Sequence, residues 1–183
     1  MNLVAVVEDL LSGPARCGTT HLIAIDGRAG AGKSTLAQEL FRALGITHSV
    51  EIIHLDEVYA GWENGLGKSL THTLMKLVDD LSSARSSDLP IFNWTDRVFD
   101  SVKVISPCEL IIIEGVGSAQ EIVRKFATAT IWLDIDPLIG LQRVLDRDGH
   151  SIHEQMLHWQ QDEEELFLSD RTREKADFIL MTI

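Results

Sequence analysis

The chain reads as an α/β protein of three layers, a parallel sheet held between helices. Two observations carry this. Short apolar, β-branched runs alternate with helix-periodic segments along all 183 residues. One glycine-rich loop, Gly27-Arg28-Ala29-Gly30-Ala31-Gly32-Lys33-Ser34-Thr35, stands between the first such run and the first long helix. The elements follow in order. Met1 to Leu11 is a short amphipathic helix, ended by Ser12-Gly13-Pro14. Its acidic Glu8 and Asp9, with no basic segment before them, exclude a signal peptide. His21–Asp26 is a buried parallel strand. Ser34–Leu44 places Leu36, Ala37, Leu40, Phe41 and Leu44 at helical spacing, and Gly45 stops it. Val50–Leu55 is the second strand. Ser69–Ala84 is a helix with Leu70, Leu74, Leu77, Val78 and Leu81 on one side. Ser82–Ser87 is a polar loop. Leu110–Ile113, fully apolar, is a central strand. Ala119–Phe126 is a short helix, Ala129–Leu133 a strand, Pro137–Arg147 a helix with proline in its first turn, His153–Phe167 another helix, and Ala176–Met181 the last strand.

The loop fits G-x-x-x-x-G-K-[ST] with Gly27, Gly32, Lys33 and Ser34 on the fixed positions, which makes it a P-loop with strand and helix in the required places. Glycines let the backbone curl so that successive N–H groups point inward at a polyphosphate. The helix starting at Lys33 adds the positive end of its dipole. Lys33 can reach the β/γ-phosphates and the Ser34 hydroxyl can hold Mg²⁺. Gly27, Ala29, Gly30, Ala31, Gly32, Lys33, Ser34 and Thr35 are the candidate nucleotide-binding set.

Bulk properties bound the rest. Apolar content is 45%, mean hydropathy +0.07, and no apolar stretch reaches the roughly 18 residues that span a bilayer. A cytoplasmic location is the default expectation. The net charge of −12, from 16 basic and 28 acidic side chains, argues against a nucleic-acid backbone as partner. Cys17 and Cys108 form no C-x-x-C pair, and the seven histidines show no metal-ligand spacing. The length suits one domain, residues 1–183.

In open parallel sheets ligands lie beyond the carboxyl ends of the strands, so Asp26–Lys33, Asp56–Trp62, Glu114–Ser118 and Asp134–Asp136 should converge. Asp56 is the candidate base for an attacking hydroxyl; a solvated loop acid or helix cap is the plainer alternative. Glu114 is delivered by an apolar strand toward Mg²⁺, or forms a salt bridge to Lys33. Arg143 and Arg147 share a helix face and can neutralise charge on a moving phosphate, against the alternative of a solvated face. Tyr59, Trp62, Phe92 and Trp94 fall in connections, where aromatic faces suit a planar ligand and loop packing is equally open. Trp132 reads as core, Trp159 as core or lid packing, and Glu163-Glu164-Glu165 as a solvated helix face.

Taken together, Ile23-Ala24-Ile25-Asp26-Gly27 before the loop, His54-Leu55-Asp56-Glu57-Val58-Tyr59, Pro90-Ile91-Phe92-Asn93-Trp94, Ile112-Ile113-Glu114-Gly115 and Arg143…Arg147-Asp148 resemble uridine kinase and its relatives among the P-loop nucleoside and nucleotide kinases. The resemblance runs in order from about residue 20 to 181. It implies a P-loop NTPase fold, three-layer α/β/α with a five-stranded parallel sheet and a helical lid at about residues 143–168. It implies ATP-Mg²⁺ as donor and a hydroxyl of a small molecule, nucleoside-like, as acceptor. It makes Lys33, Asp56, Arg143 and Arg147 the catalytic set, Ser34 and Glu114 the metal set, and Asp56, Tyr59, Trp62, Phe92, Trp94 and Arg97 the acceptor set. The chain departs from the family where Phe92 and Asn93 replace the usual Tyr and Asp, and where Arg97 replaces a base-contacting His. A non-catalytic nucleotide-binding protein, and a kinase for a pantothenate-like acid or sugar, are the alternatives. A guanine-reading Asn-Lys-x-Asp segment is absent.

Overall fold

In the computed structural model, which describes residues 2–182, the elements run as follows. Helix α1 (Leu3–Leu11) precedes strand β1 (His21–Gly27), helix α2 (Lys33–Leu44) and strand β2 (Val50–His54). A 3₁₀ turn, Leu55–Glu57, leads to α3 (Gly61–Asn64), α4 (Lys68–Ser82), β3 (Ser87–Asn93) and β4 (Val98–Ile105), and a second one, His150–Ile152, lies further along the chain. Then come β5 (Leu110–Glu114), α5 (Glu121–Arg124), β6 (Ala129–Asp134), α6 (Pro137–Asp148), α7 (His153–Asp170), α8 (Thr172–Lys175) and β7 (Phe178–Met181).

Five strands form one parallel sheet in the order β2-β5-β1-β6-β7. The expected three-layer α/β/α architecture is therefore present. Every residue of β1 and of β5 is buried, because helices cover both faces and leave no wet side for polar alternation. The pleat divides β1 between two cores. Leu22 and Ala24 pack with α4, α7 and Trp132 on one face, while Ile23 and Ile25 pack with α1 and α2 on the other. After β5 the chain passes from one side of β1 to the other, which opens the crevice at the carboxyl ends of β1 and β5.

Asp26 locks that end of the sheet. It is fully buried and accepts the backbone N–H groups of Gly27 (2.7 Å), Gly117 (2.9 Å) and Ala119 (2.8 Å). Burial pushes its carboxyl up to about 6, against the pull of those three donors and of Lys33. A carboxyl raised in the fold binds protons more readily folded than unfolded. Asp26 therefore subtracts stability as pH rises from the ordinary carboxylate range to about 6, by on the order of 3 kcal/mol, and its contribution is flat above that. Urea unfolding of the wild type and of Asp26→Asn at pH 4 and 7 isolates the effect. The wild type should lose stability relative to the variant over that interval, and a constant difference would contradict the assignment.

One expectation fails outright. The segment around Phe92 and Trp94 is not a simple connection but an antiparallel hairpin, β3 with β4, in a second two-stranded sheet. Ser87, the expected end of a polar loop, opens β3. Proline at position 90 is tolerated because this small sheet makes few demands for a ladder donor there. The turn is made by Asn93, whose Oδ1 accepts Thr95 N and Asp96 N at 2.9 and 3.1 Å, while Arg97 takes a left-handed φ of 57°. Helix α4 packs against β3, and Trp94 Nε1 donates to Asp56 O at 2.8 Å, so the hairpin leans over the end of β2.

Candidate functional site

The P-loop bridges β1 to α2. Gly30 and Gly32 take φ of +79° and +90°, the left-handed region that favours glycine. A Cβ on Gly30 would lie 2.3 Å from Gly140 O, so the loop and α6 touch backbone to backbone. A Cβ on Gly32 would meet nothing within 4 Å and would protrude into open space. Gly32 is also the N-cap of α2 and has no side chain to bond the helix's first N–H groups. Lys33 is buried and donates its ammonium to Gly27 O (2.9 Å) and Arg28 O (2.8 Å), which draws the loop over its own side chain.

A cavity of about 470 Å³ opens on this loop. Ala29, Gly30, Gly32, Lys33, Ser34 and Thr35 line its floor. Asp56, Tyr59, Trp62, Trp94 and Glu114 line one side and Arg143 and Arg147 another. Four residues expected at the site lie elsewhere. Gly27 is buried within β1 and Ala31 is packed in the core. Phe92 and Arg97 line a second cavity of about 670 Å³ beyond Trp62 and Trp94, which form the wall between the two.

Two of the groups expected to hold a metal, Ser34 and Glu114, meet at one end of the cavity. Ser34 Oγ donates to Glu114 Oε1 at 3.0 Å, and His54 Nδ1 lies 2.6 Å from the same oxygen. Lys33 is engaged by the two carbonyls, so the alternative Glu114–Lys33 salt bridge is not the arrangement found. Among the described residues no three His, Cys, Asp or Glu side chains cluster to hold a metal by themselves. A hydroxyl and one carboxylate beside a phosphate cradle do fit Mg²⁺, which keeps most of its ligands as water and phosphate oxygen.

Arg143 Nη1 donates to Gly30 O at 3.3 Å. Arg147 is held by Asp148 through two bonds of 2.7 and 2.6 Å. Tyr59 is buried, donates to Val116 O at 3.0 Å and meets Trp159 edge-on at 5.0 Å, so it is wall rather than a free stacking surface. Trp159 in turn meets Trp62 at 5.8 Å, and Trp62 meets Trp94 at 5.4 Å. The side wall is thus a chain of edge-to-face rings.

Glu163 overturns the expected solvated helix face. It is fully buried on α7, where Oε1 accepts Ala29 N at 2.8 Å and Trp159 Nε1 at 3.0 Å. Its other oxygen lies 3.7 Å from Arg28 Nη1, and burial raises the carboxyl above the ordinary range. Arg28 also bonds Glu164 and lies over the Phe167 ring. The i, i+4 pair Trp159/Glu163 was the available signal, because it points both side chains the same way as buried Met156. Glu163→Leu strips the acceptor from two N–H donors and should cost about 2–4 kcal/mol in urea unfolding; Glu163→Gln keeps an oxygen for both and should cost much less.

The AAA domain family matches residues 23–168. A uridine kinase from Staphylococcus aureus (strain JH9) is 23% identical over 143 residues, 70% of this chain and 69% of that one. Among solved structures, a protein provisionally assigned as a fructose transport system kinase from Silicibacter sp. TM1040 superposes with a TM-score of 0.71 at 20% identity, covering 98% of this chain and 99% of that one. One provisionally assigned as a uridine kinase from Bacillus stearothermophilus gives 0.64 at 20% identity, covering 98% and 100%. The two structural likenesses establish a shared fold, that of P-loop kinases.

Proposed function

The chain belongs to the AAA domain family, and from that premise we propose that it is an ATP-dependent phosphotransferase acting on a hydroxyl of a small molecule, a nucleoside first among the candidates. The observation that carries this is the convergence on one cavity of Lys33, Ser34, Asp56, Glu114, Arg143 and Arg147. A bare nucleotide-binding loop needs only the first two. An acid on the far side and a pair of arginines are what a transfer reaction adds.

In this reading the amides of Gly30 and of Gly32 to Thr35, with the Lys33 ammonium, hold the phosphates, while the Ala29 amide stays with Glu163. Ser34 Oγ and Glu114 are the groups that would hold Mg²⁺, which would supply positive charge to screen the phosphates. Asp56 takes the proton of the acceptor hydroxyl as the acceptor oxygen bonds to the γ-phosphorus and the bond to the leaving ADP oxygen breaks. Arg143 and Arg147, on α6 at the start of the segment 143–168, neutralise the charge that develops on the transferred group. The ring wall of Tyr59, Trp62 and Trp94 excludes water and seats the acceptor. Among the described residues no helix is long and apolar enough to cross a membrane.

Phe92 and Arg97 favour a second reading of the acceptor. They face the outer cavity together with His158 and Asp162, so the inner cavity alone suits a compact acceptor such as a sugar or a small hydroxy acid. ATP consumption measured with Mg²⁺ across nucleosides, pantothenate-like acids and sugars decides between them. Turnover with one hydroxyl acceptor is the expected result. Tight ATP binding without turnover on any would move the chain to the non-catalytic binding proteins.

A further inference from the structure

We propose that His54 is a positioning residue for the cation end of the site, acting through Glu114. The inference rests on the kinase reading above and deepens it. Strands β2 and β5 pair in parallel with His54 opposite Glu114, so the two side chains leave the sheet together. Glu114 is 3% exposed, and a buried carboxylate needs donors. It has two, His54 Nδ1 at 2.6 Å and Ser34 Oγ at 3.0 Å, both on Oε1.

A carboxylate only accepts, so the imidazole carries its proton on Nδ1 and donates it. The two donors are not equivalent. Ser34 is the hydroxyl that would turn its oxygen to a divalent cation. His54 has no such second duty, because it is not among the residues that line the cavity and its ring, at the strand end, is part-exposed. When Ser34 engages a cation, His54 is the bond that still fixes the rotation of the Glu114 carboxylate. Partners of this kind, behind a metal ligand, typically hold 10–100-fold in metal affinity.

The test uses the full chain with ADP as nucleotide and Mn²⁺ as the cation, read by electron paramagnetic resonance. H54F should bind Mn²⁺ in the ADP complex 10–100-fold more weakly than the wild type. H54N, whose side-chain N–H can stand where Nδ1–H stood, should recover most of that loss. Affinity for ADP without metal should be the same in all three, which separates positioning from damage to the fold. Wild-type Mn²⁺ affinity in H54F overturns the role of His54 and leaves the kinase reading intact. A wild-type chain that binds no ADP overturns the kinase reading and this role with it. Ring ¹⁵N shifts of the wild type give a measurement that needs no variant: Nδ1 must stay protonated in the ADP complex before and after Mg²⁺ is added, and a tautomer with the proton on Nε2 overturns the proposal.

Discussion

Asp56→Asn is expected to lower turnover by 10²–10⁴-fold, the range for a lost general base, while ATP still binds. The substitution is nearly isosteric. Asp56 belongs to a 3₁₀ turn whose backbone contact, Trp94 Nε1 to Asp56 O, does not involve the carboxylate. The fold and the cavity wall should therefore survive, and the loss should appear in the chemical step rather than in the KM for ATP. Single-turnover kinetics beside a titration with ATP makes the measurement. Turnover within a few-fold of wild type would remove Asp56 from the reaction and leave it a solvated acid at a strand end.

The second large effect falls on the fold. Gly30→Ala sets a Cβ 2.3 Å from Gly140 O and 2.9 Å from its Cα and C, all backbone of α6. Nothing there is a flexible side chain that could swing aside. Overpacking of this kind costs about 1–3 kcal/mol, and a left-handed φ adds about 1–2 kcal/mol for alanine. A total of roughly 2–5 kcal/mol is a large part of the stability of an ordinary domain. Gly32→Ala is the matched control. It also has a left-handed φ, yet its Cβ would meet no atom within 4 Å. It should lose only the conformational part of that stability, and its methyl should instead obstruct the phosphates. Urea midpoints and ATP affinities should thus move in opposite proportion in the two variants. Equal loss of stability in both would show that crowding against α6 is not what Gly30 avoids.

The parts of this molecule that were legible in the sequence are those with a local period. The five sheet strands and the long helices declare themselves by apolar spacing, and the P-loop by fixed positions that a phosphate cradle requires. The β3–β4 hairpin did not, although Val98–Ile105 is rich in β-branched residues and Asn93-Trp94-Thr95-Asp96 is a competent turn. Pro90 and the surrounding charges masked it. His54 and Glu163 were hidden for a different reason. Their partners lie 60 and 134 residues away, so spacing could mark Glu163 as inward-facing, by its i, i+4 relation to Trp159, but not name the Ala29 amide it bonds. Phe92 and Arg97 were grouped with Trp94 by the family resemblance, but the hairpin places them on the outer cavity, which Trp94 also lines.

The bond from Glu163 to Ala29 makes helix α7 a fixed jaw. That helix cannot leave the site without releasing an amide of the phosphate loop, the indole of Trp159 and the clamp on Arg28. Under the proposed function, closure is expected at the shorter arm, the end of α6 carrying Arg143 and Arg147, with the positive-φ Gly149 as its pivot. Amide exchange separates the two jaws. The Ala29 N–H should exchange as slowly as the strands of the central sheet, whether or not nucleotide is present. The amides on either side of Gly149 should be the ones that slow when the site fills.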